Sequence, residues 1–501
     1  MTRAMDLRRL LDDGKAPGLE VSGIASDSRR VQPGDLYVAR RGNVFDGHDF
    51  VADAVDAGAI AVVSERVVDT PVPNIVAPDI VQNPGTLGAR FYDSPSRALD
   101  IVGVTGTNGK TTVAYNIARI GRAGETTGYV GTLGWGMPPD LGPSMLTTED
   151  PLVLQGRLRT LADLGISRVA IEASSHALDQ ARLDAVDVDV GVFTNLSRDH
   201  LDYHGTMSRY AAAKRKLFER RLRVAVVNID DPAGAAIAAS AAGRMDVVGV
   251  GRTGALRWTD LGFHRGGVHG TWITPWGQRS FDLAAFFGEF SVYNAACVLA
   301  ACCALGDPLD DVVDVMNELP GVPGRMQAVA ARPMVFVDYA HTPEGLNAVL
   351  AAVRSHVGSG RIITVFGCGG DRDRGKRPLM ARAAESGADV VVATTDNPRS
   401  ESPERILDDV MAGFDNPGAV LRISDRREAI GVALDHAGAC DVVLIAGKGH
   451  EDYQEIDGRR LPWSDTGTVA ELLHHRLAAP GAGRSERWRH VSASAERGDR
   501  P

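Results

Sequence analysis

The residue types best suited to chemistry stand in Gly103-Val104-Thr105-Gly106-Thr107-Asn108-Gly109-Lys110-Thr111-Thr112. Glycines let backbone N–H groups close on phosphate oxygens, and a helix beginning near the lysine offers its positive end to the anion. Lys110 would reach the terminal phosphates of a nucleotide, and the Thr111 hydroxyl would ligate Mg²⁺. The strict spacing of such loops asks for glycine five residues before Gly109, where this chain has Val104. By itself the stretch supports a nucleotide site and leaves an ordinary strand-to-helix turn open.

Elements must position that loop. The apolar run 101–104 reads as a buried strand, and Val113, Ile117 and Ile120 recur at helical spacing. Three more β-branched runs follow, each ending in polar residues. Run 169–171 leads to Glu172-Ala173-Ser174-Ser175-His176, and run 190–193 to Thr194-Asn195-Leu196-Ser197-Arg198-Asp199-His200. Run 224–227 leads to Asn228 and Asp230. Strands alternating with helices predict a mostly parallel sheet, whose ligands bind beyond the carboxyl ends of its strands. Four polar clusters at four strand ends therefore predict one shared site.

Farther on the pattern repeats. Run 335–337 leads to Asp338-Tyr339-Ala340-His341, and run 362–366 to Gly367-Cys368-Gly369-Gly370-Asp371-Arg372. Run 390–393 leads to Asp396-Asn397-Pro398-Arg399, and run 442–446 to Gly447-Lys448-Gly449-His450-Glu451. This predicts a second α/β domain with its own strand-end site. Before the glycine loop, short apolar runs alternate with helical stretches, and Asp27-Ser28-Arg29 and residues 43–48 supply polar loops that turn chemistry would explain equally well. Residues 252–290 read as strands or a hairpin, 291–304 as a helix carrying Asn294, and Pro320-Gly321-Val322-Pro323-Gly324 as a hinge. The expected domains are 1–97, 98–325 and 326–478, with 479–501 as a disordered tail rich in Ala, Gly, Ser, Arg and Glu.

A net charge of −10 argues against a general nucleic-acid backbone binder and leaves room for local anion sites. The five cysteines, Cys297, Cys302, Cys303, Cys368 and Cys440, have no metal-site spacing, and their odd number argues against a disulfide framework. Residues 1–15 hold no apolar signal core, and no apolar run approaches the roughly 20 residues that span a bilayer. A cytoplasmic protein without membrane insertion is expected.

Together these stretches resemble the Mur ligase family over about residues 20–470. The family's loop has the form T-G-T-x-G-K-T, which accommodates Val104. Glu172 to Leu178, Thr194 to His204, Asp338 to Pro343 and Gly447 to Glu451 resemble its further signatures, in the same order. The resemblance implies three α/β domains: a small N-terminal domain for the UDP-sugar, a central P-loop-type ATPase domain built on a mostly parallel sheet, and a Rossmann-like C-terminal domain for the amino acid. The implied reaction is ATP-dependent amide formation through an acyl phosphate, without an acyl-enzyme nucleophile, by positioning and stabilisation of crowded anions. It further implies a monomer whose ATP site is completed by closure of domains.

The resemblance also distributes roles. ATP would be held by Gly106, Thr107, Asn108, Gly109, Lys110, Thr111, Thr112, Asn294, Arg325, Asp338 and His341. Mg²⁺ would take Thr111, Glu172, His200 and Lys214, with Lys110, Glu172, His200 and Lys214 as the catalytic set. On composition, Lys214 lies on an amphipathic helix with a solvated basic face. The resemblance instead implies that CO₂ carboxylates it, so that a carbamate oxygen can bind metal; Lys216 stays a surface residue. His200 and His204 are spaced i, i+4, as zinc ligands on a helix would be, but no third ligand accompanies them, and packing is the plainer reading of His204. The nucleotide-sugar dipeptide, UDP-N-acetylmuramoyl-L-alanyl-D-glutamate, would meet Ser28, Thr147, Thr148, Ser174 and Arg182, although Arg182 alone could be a surface ion pair.

In the resembling ligases Asp396-Asn397-Pro398-Arg399 accompanies meso-diaminopimelate, although alone it could be a surface turn. Arg399 and Arg372 would pair with its distal carboxylate, and Glu451 and the Gly447 carbonyl with its ammonium. Lysine lacks that carboxylate, and leaving a buried Arg399 unpaired would disfavour it. Two departures raise a specialised paralogue as an alternative, beside a lysine-adding ligase. Glu149 follows Thr147-Thr148 where the family commonly has proline, and Pro462-Trp463-Ser464-Asp465 replaces the usual Pro-Phe-Asp-Asp. A phosphate-loop kinase or regulatory nucleotide-binding protein is the reading from another class.

Overall fold

The computed structural model describes residues 4–42, 45–121 and 125–478. The expected tail, 479–501, lies outside the described residues, as does Asn43 of the polar loop 43–48. Contacts divide the chain into two compact units, one of residues 1–262, 269–283 and 291–319, the other of 263–268, 284–290 and 320 onward.

The first unit contains two sheets. Strands Gly23–Ala25, Asp35–Ala39, Ala61–Ser64 and Asn74–Val76 pair in parallel in chain order. The second sheet has eight strands. Its order is Asp140–Gly142, Gly134–Met137, Thr127–Gly131, Arg168–Glu172, Asp100–Thr105, Val190–Phe193, Val224–Asn228 and Asp246–Val250. The last six are mutually parallel, and the first two form an antiparallel edge. Strand Asp100–Thr105 lies between Arg168–Glu172 and Val190–Phe193; its own connection leads to Thr127–Gly131 on one side, and that of Val190–Phe193 to Val224–Asn228 on the other. Its loop thus opens at a switch point.

Continuous apolar runs make these strands because the sheet is buried on both faces. Ile101, Val169, Phe193 and Val227 pack with Leu154, Leu158, Leu217 and Ile237 on one face. Each fully buried aliphatic side chain stabilises by about 1.5–3 kcal/mol. Helix Lys110–Ile117 ends before Ile120, so the apolar spacing continues one turn beyond the helix; Ile120 is still buried. A buried ion pair adds to this packing: Arg168 donates to both Asp307 oxygens at 2.6 and 2.9 Å, with both side chains buried.

Residues 257–284, open between strands and a hairpin in sequence, form three strands, Arg257–His264, Gly267–Thr274 and Gly277–Ala284. Helix Glu289–Ala304 buries Cys297, Cys302 and Cys303 among alanines, and the cysteines are unbridged.

The second unit has a six-stranded sheet in the order Gln327–Ala331, Met334–Asp338, Val442–Ala446, Ile362–Phe366, Val390–Ala393 and Leu421–Arg422. All but the first run parallel. The polar clusters after Asp338, Phe366, Ala393 and Ala446 therefore leave one edge of one sheet, as the strand pattern predicted. No helix among the described residues is long and apolar enough to cross a membrane.

Candidate active site

The glycine loop is a built cradle. Gly109 has φ +85°, and a Cβ there would collide with Asn294 Oδ1, so glycine alone fits between the loop and helix Glu289–Ala304. Thr194 Oγ1 donates to the Asn108 carbonyl at 2.6 Å, and Asn195 Oδ1 accepts the Asn108 N–H at 3.0 Å. Thr107 Oγ1 accepts from the Ser197 N–H at 3.0 Å. The strand end after Phe193 thus clamps the loop. Lys110 Nζ donates to the carbonyls of Gly106 and Thr107 at 2.9 and 2.8 Å. Thr112 follows half-buried in the helix.

Glu172 is fully buried at the end of its strand. Thr111 Oγ1 donates to its Oε2 at 3.0 Å, and the Thr132 N–H to its Oε1 at 2.9 Å. The Tyr129 hydroxyl also donates to Oε1. A hydroxyl and a carboxylate this close are a hard-oxygen donor pair, which fits Mg²⁺, an ion that completes its shell with water and phosphate oxygens. Among the described residues no group of three or more His, Cys, Asp or Glu side chains gathers to hold a metal. Glu172→Gln keeps the shape of this network and removes its charge. It is expected to lower kcat by about a hundredfold or more, and to raise the Mg²⁺ concentration needed for half-maximal rate.

Lys214 lies on helix Met207–Arg215 and is 1% exposed, which replaces the solvated face with a buried amine. Its Nζ donates to the Gly106 carbonyl at 2.6 Å and sits 4.4 Å from the Tyr210 ring centroid. Burial, and then the charge of Lys110, hold its pKa well below the usual lysine value. Lys216 stays exposed, paired with Asp179 at 2.7 Å. His200 has φ 51° and its ring lies 4.9 Å from His176 and 6.1 Å from Tyr210. His204 is buried against Ser175 Oγ at 3.0 Å, within the same ring cluster, so packing accounts for it. Burial, helped by His200 and His204, pushes His176 down to about 4.

Four of the residues expected at the acceptor form one network with Glu172. Thr147 Oγ1 lies 3.1 Å from Thr132 Oγ1, and the Thr132 hydroxyl donates to Glu172 Oε2 at 3.2 Å. Thr148 Oγ1 donates to the Glu172 carbonyl at 2.6 Å and meets Ser174 Oγ at 3.2 Å. Arg182 Nη1 donates to the Thr148 carbonyl at 2.7 Å, and its Nε to Gln180 Oε1 at 3.0 Å. It is therefore no surface ion pair. Ser28 stands on another element, the short 3-10 turn Ser28–Arg30 capped by Asp27.

In the second unit, Asp338 accepts the N–H groups of Met326 and Ala340 at 2.6 and 2.7 Å, and burial pushes its carboxyl up. Arg325 stacks 4.3 Å over the Tyr339 ring, and His341 Nδ1 lies 2.9 Å from the Tyr339 carbonyl. Asp396, Asn397 and Pro398 are buried, and Gly447, at φ +113°, would bring a Cβ to 2.5 Å from Asp396 Oδ2. Asn397 Nδ2 donates to Glu451 Oε2 at 2.8 Å, joining the two loops. Arg399 departs from the buried, singly partnered residue expected: its side chain is 21% exposed, with Nη1 on the Gly370 carbonyl at 2.7 Å and Nε 3.4 Å from Glu455. Arg372 is exposed and lines a cavity of about 440 Å³ with Arg374, Arg405 and Glu401.

The sequence compares with known proteins along nearly its whole length. Profiles of three Mur ligase domains match it: "Mur ligase family, catalytic domain" over residues 20–86, "Mur ligase middle domain" over 104–302, and "Mur ligase, glutamate ligase domain" over 324–449. The UDP-N-acetylmuramoyl-L-alanyl-D-glutamate--2,6-diaminopimelate ligase of Pseudomonas putida is 44% identical over 476 residues, 91% of this chain and 95% of the relative. The chain belongs to the Mur ligase family. The enzyme of the same name from Coxiella burnetii is 43% identical over 474 residues, 90% of this chain and 96% of its own. A solved structure of such a ligase is 37% identical, with a TM-score of 0.68 over 95% of this chain and 99% of that one. The UDP-N-acetylmuramoylalanyl-D-glutamyl-2,6-diaminopimelate--D-alanyl-D-alanyl ligase of Acinetobacter baumannii, at 20% identity and a TM-score of 0.66 over 95% and 99% of the chains, shares the fold.

Both departures from the Mur ligase pattern have local structural work. Glu149 is buried, 2.8 Å from Arg157, and accepts from Ser144 Oγ and the Met145 N–H, pinning the turn before Thr147. Trp463 Nε1 donates at 2.8 Å to Asp465, which pairs with buried Arg426. Sequence reasoning gave no part to Tyr129, Thr132, Gln180 or Lys448. Tyr129, Thr132 and Gln180 lie outside the strand-end clusters that drew notice. Lys448 lies inside one, between two glycines that draw no attention to it.

Proposed function

We propose that this Mur ligase uses ATP to join meso-2,6-diaminopimelate to the D-glutamate carboxylate of UDP-N-acetylmuramoyl-L-alanyl-D-glutamate, a step of peptidoglycan precursor synthesis. The supporting observation is the pairing of two strand-end constellations with relatives of that name over nine-tenths of the chain. One is the phosphate cradle with Glu172 and Lys214; the other is Asp-Asn-Pro-Arg joined to Glu451. Residues 1–97 would take the UDP-sugar at Ser28, residues 98–325 ATP and the dipeptide, and residues 326–478 the amino acid.

A carboxylate is a poor electrophile, so it must first take the γ-phosphoryl group; the amine then displaces phosphate from the acyl phosphate. Lys110 and the loop N–H groups would steady the phosphoryl charge, with Asn294 beside them on the nucleotide. Thr147, Thr148, Ser174 and Arg182 would fix the accepting carboxylate through the network that already orients them. Thr111, Glu172, His200 and carboxylated Lys214 would hold Mg²⁺, which supplies charge neutralisation between anions when bound. The Lys214 site fits a carbamate: its amine is buried, its pKa is lowered, and CO₂ adds only to a neutral amine.

The test is an amino-acid panel with the nucleotide dipeptide and ATP, read by product mass and ADP release. Diaminopimelate addition, with ADP release requiring both substrates, is expected. ADP formed without either would favour a kinase, and lysine addition would move the protein to another branch of the family.

A further inference from the structure

Lys448 is fully buried, although nothing in its glycine-flanked sequence requires burial. Its Nζ donates to Asn397 Oδ1 at 2.9 Å and to Glu451 Oε2 at 2.8 Å. Asn397 Nδ2 donates to the same Glu451 oxygen at 2.8 Å, so three side chains close a ring of bonds. The ring extends outward: Asn397 Oδ1 also accepts the Glu455 N–H at 2.9 Å, and Arg399 pairs with Glu455 and bridges to Ile456. One buried cation therefore fixes Asn397 and Glu451 directly and Arg399 through strand Tyr453–Ile456. A buried charge is costly unless fully paired, and an apolar residue would fill the space with less penalty. What the charge adds is orientation. Both bonds to Glu451 use Oε2, which leaves Oε1 as the oxygen that meets an incoming ammonium.

Behind this ring stands a second, separate support. Arg426 and Asp465 are both buried and paired at 2.7 Å. Arg426 donates to the carbonyls of Thr395 and Ala446 at 3.4 and 3.1 Å, the residues just before the two loops. The loop roots are thus tied by Arg426, and the loop tips by Lys448.

We propose that Lys448 is the positioning residue of the amine site: it sets the affinity and the selectivity for the amino-acid substrate without touching ATP chemistry. This rests on reading the two loops as that site. The experiment first finds which amine the wild-type enzyme ligates, then measures steady-state kinetics of Lys448→Met and Lys448→Arg with that amine. The expected result for Lys448→Met is a rise of about tenfold or more in KM for the amine. Its kcat and its KM values for ATP and the nucleotide dipeptide are expected to stay within about threefold, with a reduced preference ratio between diaminopimelate and lysine. Lys448→Arg keeps the charge but not the two-bond geometry, and its amine KM is expected to rise about threefold or more. If the methionine variant does not fold, the arginine variant decides. An unchanged amine KM, or a parallel change in all three KM values, overturns the proposal. A wild-type enzyme whose ADP release ignores every amine overturns the functional reading instead.

Discussion

Lys214→Ala is expected to lower ligation by about a thousandfold or more, with bicarbonate or a short carboxylic acid restoring part of the rate. Lys214 is 1% exposed with its Nζ on the Gly106 carbonyl, so truncation leaves a polar-ended space beside the phosphate cradle. A small carboxylate entering that space restores the anion that the side chain, once carboxylated, would supply. The chemistry balances: the neutral amine adds to CO₂, forms the N–C bond and releases one proton. The sign of the pH effect follows from burial. The folded amine holds its proton less tightly than the unfolded one, so folding releases protons below the unfolded value of about 10.4. Uncarboxylated protein therefore gains stability as pH rises between the lowered and the unfolded values. Stripping CO₂ in mildly acidic buffer should depress activity more than stripping it in alkaline buffer. Full activity of Lys214→Ala without any added acid would end the carbamate role.

Arg399→Ala is expected to reduce the diaminopimelate-to-lysine preference in kcat/KM by about ten- to a hundredfold, the equivalent of one charge-assisted bond of about 1.5–3 kcal/mol. The sequence alone suggested a larger effect, because an orphaned buried arginine is severely penalised. Arg399 is instead partly exposed and has Glu455 at 3.4 Å, so lysine would not leave it alone. Selection then comes from the exchange of one carboxylate partner for a substrate carboxylate. A preference ratio unchanged in the variant would remove Arg399 as selector and direct attention to exposed Arg372.

The strands were readable because a sheet covered on both faces needs unbroken β-branched runs, and runs 190–193, 362–366, 390–393 and 442–446 became strands with those same limits. The gathering of polar clusters followed from parallel topology, since parallel strands put all their carboxyl ends on one edge. Side-chain bonds distant in sequence were not readable. Thr194 reaches Asn108 across 86 positions, and Arg426 reaches Asp465 across 39. Lys448 shows the limit most clearly. A lysine between glycines carries no sign of burial in sequence, and only its acceptors, Asn397 on another loop and Glu451 three residues on, make that burial tolerable.

Lys110 carries one more consequence. Its ammonium is already satisfied by two carbonyls of its own loop, so the loop holds itself in a latched form. A phosphate oxygen reaching Nζ would compete with Gly106 and Thr107 for its three N–H donors. Measured affinity is then the difference between two well-satisfied states. Because Lys214 shares the Gly106 carbonyl, unlatching also returns that acceptor to Lys214 alone. A phosphate that drew Lys110 away would thereby change the bonding of the buried amine through a single oxygen atom.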